Sequence, residues 1–285
     1  MVEGKEVGGA VERGSARRCL TVAYDGARFS GWAVQPDRLT VQGVLEESLG
    51  EILGRGEPVP VCGSGRTDAG VHALGQVVHF DDPGRLPLVR LGGALAGVLP
   101  TDIRPVSLVP AAADFHARHA AVRKTYVYQL HLSGASGGLR SVQRSVPPHR
   151  RGTHVAVPAS LDVGAMRRAA RGLVGCHDFT TFSKVMPENR GTVRSVSAVR
   201  VLRSRHAIRL VVTGEGFLYG MVRLLSALLV DVGRGGIRPD SIPEMLAAAD
   251  RSLAPAALPG HALFLWRVDY EPDPRGGARR RGLLS

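Results

Sequence analysis

Residues Val61–Phe80 read VCGSGRTDAGVHALGQVVHF. Gly63, Gly65 and Gly70 bracket Arg66, Thr67 and Asp68, and an apolar run follows. "VPVC" and "GQVVHF" read as strands on either side of a glycine-rich turn. Asp68 stands where a G-x-G-x-x-G dinucleotide loop needs its third glycine, and no Gly-Lys-Ser/Thr follows, so neither that loop nor a Walker loop is read here. Two readings stay open for Asp68. It caps the turn by accepting backbone N–H bonds, or the turn presents it to a substrate as a catalytic acid. Arg66, two residues away, favours the ionised carboxylate. Gly65 and Gly70 leave room for a bulky ligand to approach the backbone. No second acid stands in the stretch, which argues against the two-carboxylate chemistry of glycoside hydrolysis.

Working outward, strand-like and helix-like segments alternate. "CLTVAY" (19–24) reads as a buried strand and "YDGARFSGW" (24–32) as a turn. Thr40 reads as the N-cap of a helix whose stripe is Val41, Val44, Leu45, Leu49, Ile52 and Leu53. "LPLVRLGGALAGVL" (86–99) reads as a glycine-weakened helix and "DIRPVSLV" (102–109) as a strand. The pattern then starts again. "KTYVYQLHL" (124–132) is a strand with Tyr126 and Tyr128 on one face. Residues 133–153 read as a long exposed loop and "LDVGAMRRAARGLVG" (161–175) as an amphipathic helix. "TVRSVSAVRVLRSRHAIRLVVTG" (192–214) reads as a hairpin turning at 204–206. "FLYGMVRLLSALLVDVG" (217–233) is an apolar helix stopped by Gly233, "IPEMLAAAD" (242–250) a further helix, and "ALFLWRVDY" (262–270) a closing strand. The fold expected is α+β: two similar strand–helix halves sharing a mainly antiparallel sheet, with a basic active-site cleft between them. The boundaries expected are a basic tail at 1–18, an N-terminal half at 19–114 carrying Asp68, a C-terminal half at 115–270, and a second basic tail at 271–285.

The chain has 285 residues, 44% of them hydrophobic, enough to bury a core. Neither a membrane span nor the apolar centre of a signal peptide is read, so a cytoplasmic location is expected. Cys19, Cys62 and Cys176 are odd in number and widely spaced, so neither a disulfide framework nor a cysteine zinc site is indicated. His116 and His119 sit three apart with no acid or cysteine set beside them in the sequence to complete a metal site. Net charge is +12, from 37 basic against 25 acidic residues. Lys5, Lys124 and Lys184 are the lysines, so the positive charge is mostly guanidinium, which grips phosphate through a planar fork. Nucleic acid is the partner this balance favours.

These blocks, in this order, resemble the tRNA pseudouridine synthase A family. "GSGRTDAGVHALGQVVHF" is similar to its signature. "YDGARFSGW", "TVQGVLEESL", "LPTDIRPVSL", "DFHARHAAVRKTYVY", "DFTTFS", "GEGFLYGMVRLLSALLVDVGRG" and "ALFLWRVDY" are similar to its further blocks, so the resemblance spans Cys19 to Tyr270. It implies isomerisation of uridine to pseudouridine at tRNA positions 38 to 40, in the anticodon stem-loop. It also implies a homodimer that embraces tRNA, and no cofactor or metal. Carried over residue by residue, it makes Asp68 the essential aspartate and Tyr126 the ring that stacks on the target uracil. Leu263 becomes the apolar group on the other face of the base, and Arg223 the partner of the aspartate. Arg66 becomes the arginine that holds the flipped-out nucleotide. Arg118, in "FHAR", is read as a phosphate contact. The sequence departs from the family at Ala33, Ala96, Gly220 and Ala262, none of which is Asp68 or Tyr126. A non-catalytic RNA-binding protein and a nucleoside hydrolase remain as alternatives.

Overall fold

In a computed structural model, the structure describes residues 16–84, 86–134, 144–184 and 191–276. The terminal parts of both expected basic tails, and residues 135–143 of the expected loop, lie outside the described residues. The fold is mixed α+β, built on a ten-stranded, mostly antiparallel sheet with five helices among the described residues.

The strands are β1 (Ala16–Tyr24), β2 (Cys62–Gly63), β3 (His72–Asp82), β4 (Ile103–Pro110), β5 (Ala121–Ser133), β6 (Val155–Pro158), β7 (Gly175–Asp178), β8 (Val193–Arg203), β9 (Ala207–Gly214) and β10 (Leu263–Tyr270). Across the sheet they run β4-β1-β3-β10-β5-β9-β8-β7, with β2 added to β3 and β6 to β5. β3 meets β10 in a short parallel pairing, Phe264 opposite His72 and Leu265 opposite Ala73. That seam joins the strands on either side of it into one sheet. Along β3 and β5, residues of both faces are buried over most of the length, as befits strands at the centre of a covered sheet.

The helices are α1 (Val41–Ile52), α2 (Leu88–Val98), α3 (Val163–Gly172), α4 (Met221–Gly233) and α5 (Ile242–Ala247). Thr40 caps α1 by accepting the Gly43 N–H, and Asp162 caps α3 by accepting that of Ala165. α4 is apolar on every side; only Arg223 and Asp231 are less than fully buried along it, so it is a core helix and not a surface one.

Three boundaries differ from the sequence reading. β1 begins at Ala16, not Cys19, because Arg17 and Arg18 extend the strand and pair across it with Asp81 (2.9 Å) and Asp82 (2.8 Å). At the other end, Arg275 donates to Asp273 and to the Val268 carbonyl (2.7 and 2.8 Å), which holds the first residues after β10 against the sheet. The segment read as an exposed loop to Thr153 buries Val146, and the Gly152 carbonyl accepts a hydrogen bond from His72 at the start of β3.

Candidate active site

The Asp68 turn is held by the elements around it. Ser64 N–H donates to the Val77 carbonyl (2.7 Å). The buried Gln76 side chain accepts from Ser64 Oγ (2.6 Å) and donates to the Gly65 carbonyl (2.8 Å). Thr67 hydrogen-bonds the Tyr24 hydroxyl through Oγ1 (2.8 Å), and its carbonyl accepts the Trp32 N–H (3.0 Å). Val71 N–H closes the turn on the Asp68 carbonyl (3.1 Å). With backbone and neighbours fixed in this way, the Asp68 side chain is free to point elsewhere.

It points at α4. Asp68 Oδ2 accepts from Arg223 Nη1 at 2.8 Å, with both side chains about 15% exposed. Arg223 sits in the first turn of α4, and its Nε donates to the Leu258 carbonyl (2.7 Å). A largely buried carboxylate is thus matched by a largely buried guanidinium, the arrangement that offsets desolvation of both. The sequence reading placed Arg66 beside Asp68 as well. Arg66 is exposed and makes no ion pair among the described residues, so the pairing role falls to Arg223.

Tyr126 and Leu263 belong to adjacent strands. Leu265 stands opposite Tyr126 and Leu263 opposite Tyr128, so Leu263 and Tyr126 are diagonal neighbours on one face of the sheet. Tyr126 packs edge-on against Phe217, ring centres 5.2 Å apart. Burial, then Tyr24 and the Asp68 carboxylate, raises its phenol well above the ordinary range. Leu263 is brought up by the segment ahead of it. Leu258 is tied to Arg223, the Pro259 carbonyl accepts from the Tyr128 hydroxyl (2.8 Å), and Gly260 lies on the Asp68 turn. A Cβ at Gly260 would stand 2.6 Å from the Ala69 carbonyl oxygen. Only a residue without a side chain permits that approach.

His72, to which the sequence reading gave no role, ties these pieces together. Its ring is buried and stacked on Phe264 (4.6 Å between centres). Nε2 donates to the carbonyls of Gly152 (3.1 Å) and His261 (2.9 Å), while Nδ1 takes the Gly26 N–H (3.1 Å) beside Asp25. Gln76, Tyr24 and His72 form a supporting shell that the sequence reading missed. The available signal was a polar residue set inside an apolar strand, as in "GQVV". Arg118 is exposed, and its backbone N–H, not its guanidinium, is engaged with His116.

The fold also brings Cys62 and His79 to His116, with Cys62 Sγ 3.8 Å from His116 Nε2. The set is poorly made for a metal. Nδ1 of His79 accepts the Ala117 N–H, and Nδ1 of His116 accepts those of Arg118 and His119. In the neutral rings the proton then lies on Nε2, the atom that would have to ligate. A separate concavity between β7 and α5, lined by Cys176, His177 and Pro243 among others, shares no residue with the Asp68 constellation.

A sequence profile described as tRNA pseudouridine synthase matches residues 20–119 and 169–271. A protein of Bacillus subtilis (strain 168) named tRNA pseudouridine synthase A is 39% identical over 251 residues, 88% of this chain and 98% of that protein. One of the same name from Exiguobacterium sibiricum is 40% identical over 256 residues, 90% of this chain and 97% of its own length. Among solved structures, a chain of the archaeal box H/ACA sRNP Nop10-Cbf5 complex aligns at a TM-score of 0.31 and 14% identity, covering 75% of this chain and 44% of that one. With the matched segments taking in the Asp68 turn, Arg223 and Leu263, the chain belongs to the tRNA pseudouridine synthase family.

Proposed function

We propose that this protein isomerises uridine to pseudouridine at positions 38 to 40 of the tRNA anticodon stem-loop, with Asp68 as the catalytic carboxylate. The observation that carries the reading is the Asp68–Arg223 pair, set in a turn whose backbone meets the segment that delivers Leu263. In the reaction the N1–C1′ bond breaks, the uracil turns while held, a C5–C1′ bond forms, the hydrogen on C5 leaves as a proton, and N1 takes up a proton. No oxidant, reductant or second substrate enters that balance.

Each group has a task in this scheme. The target nucleotide must leave its stack, at a cost of a few kcal/mol. Stacking on the Tyr126 ring returns about 1–3 kcal/mol, and Leu263 closes the other face so that the detached base stays in place. Arg223, 2.8 Å from the carboxylate, offsets its desolvation in a partly dry site. Arg66, exposed two residues from Asp68, is free to hold the extruded nucleotide, and Arg118 is free to meet a phosphate. The resemblance that supports the anticodon-arm assignment also supports action as a homodimer in the cytoplasm.

The test is tRNA carrying tritium at uracil C5. Wild-type protein releases the label, and Asp68→Asn lowers the release about a thousandfold or more. An Asp68→Asn protein that releases label at the normal rate removes Asp68 from the chemistry. Tight tRNA binding without release by the wild type favours a non-catalytic RNA-binding protein, and free uracil in the products favours a hydrolase. Mapping pseudouridine in tRNA from cells lacking the protein checks the three positions.

A further inference from the structure

Lys124 lies in β5 two residues before Tyr126 and on the same face of the strand. Its strand neighbours are Gly214 of β9 and Val268 of β10. The side chain runs along Gly65: a Cβ there would stand 3.6 Å from Nζ and 3.9 Å from Cδ and Cε. The ammonium is therefore placed at the start of the turn that presents Asp68.

No anion among the described residues answers it. Among the described residues Lys124 enters no ion pair, and its Nζ makes no hydrogen bond. The charges that bear on it are Arg118, from the segment after β4, and Arg194, from β8, and both repel it. Burial first, and then these two guanidiniums, push the ammonium down to about 8. Arg194 donates to the backbone carbonyls of Gly191 and Val193 and flanks Gly216 (a Cβ there would lie 3.9 Å from Nε), and it forms no ion pair with a carboxylate among the described residues.

A partly buried ammonium crowded by two guanidiniums works against folding, because its desolvation is not offset. An anion from outside the chain would offset that desolvation. For a protein acting on tRNA that anion is a phosphodiester, and its place beside Gly65 and next to Tyr126 sets it close to the target nucleotide. We propose that Lys124, flanked by Arg118 and Arg194, binds a phosphodiester adjacent to the uridine presented to Asp68, and so positions that nucleotide for the reaction. The proposal deepens the function proposed above and rests on it.

The experiment uses the full-length protein with Lys124→Met and Lys124→Arg, read by tRNA binding over a salt series, steady-state tritium release and thermal melting. For Lys124→Met we expect KM to rise about tenfold with a smaller change in kcat. The slope of log affinity against log salt should shrink by about one. The melting temperature should stay level or rise, since a buried charge has gone. Lys124→Arg should recover the slope. Unchanged KM and slope overturn the proposal. So does a Lys124→Met protein that melts lower in proportion to its lost activity or fails to fold, because Lys124 is then structural, and so does a Lys124→Arg protein as impaired as Lys124→Met. A wild type that binds tRNA but releases no tritium removes the function proposed above, whereas the difference in salt slope still decides whether Lys124 meets a phosphate.

Discussion

Asp68 and Arg223 are 155 positions apart in the chain and 2.8 Å apart in the fold. Removing one partner from such a pair leaves the other charge withdrawn from water without compensation. Arg223→Met should therefore lower unfolding free energy by about 3 kcal/mol, the low end of the range for buried pairs because both side chains keep some solvent contact. Asp68→Asn with Arg223→Met should recover a good part of that loss. It should not recover all of it, because the Nε bond to the Leu258 carbonyl goes as well. Urea unfolding of the four proteins in the cycle measures the coupling; strictly additive losses would show that the pair carries no interaction energy. Asp68 itself was legible from its own surroundings, as a single acid in a glycine-lined turn. Its partner was not. Local reading favours the neighbour in sequence, Arg66, whereas the contact that forms depends on how α4 crosses the turn. Only the family resemblance pointed to Arg223.

At the scale of elements, local signals were enough wherever side chains alone set the structure. Thr40 caps α1, the 204–206 hairpin turn closes with a Ser204–Ala207 bond, and α4 stops at Gly233, as the sequence implied. β6 and β7 were missed because four-residue strands carry too short a pattern. The parallel β3–β10 pairing was also unreadable, since it joins segments nearly two hundred residues apart through two residue pairs. One tertiary contact between elements has a direct test. Gly31, in the turn after β1, has φ +103°, and a Cβ there would stand 2.8 Å from the Thr67 carbonyl oxygen. That oxygen accepts the Trp32 N–H, so the two turns rest on each other's backbone. Gly31→Ala should lose about 1–3 kcal/mol from the disfavoured backbone alone. It should also reduce kcat by more than an equally destabilising core change elsewhere, because the clash displaces Thr67 and hence Asp68. Comparing it with Leu228→Ala, in the core of α4, separates the two effects, and equal activity at equal stability would argue against a coupled turn.

The molecule as a whole carries a net charge of +12, which makes any further proton unwelcome. Two histidines in separate parts of the fold, His79 in β3 and His154 just before β6, are held neutral. Burial acts first on each, His116 and Arg17 then add to it at His79, and Arg150 and His131 do so at His154; both rings are pushed down to about 4. In the unfolded chain both return to the ordinary value near 6.5. Between those limits the unfolded state binds more protons than the native one, so stability falls as pH drops from about 6.5 to about 4. The carboxylates that the fold favours in their ionised form, such as Asp81 beside Arg17 and Asp273 beside Arg275, act below their ordinary value of 3.8, in a lower window. The acid side of the stability curve should therefore show two steps, the upper one belonging to the histidines and amounting to a few kcal/mol. In His79→Gln the upper step should shrink while the lower step stays, since a neutral amide of similar reach keeps an acceptor for the Ala117 N–H without taking up a proton. Urea midpoints measured from pH 7 down to pH 3 resolve the two windows. A wild type whose stability is flat between 6.5 and 4, or a His79→Gln protein with an undiminished upper step, would mean that these rings are not held neutral by the fold.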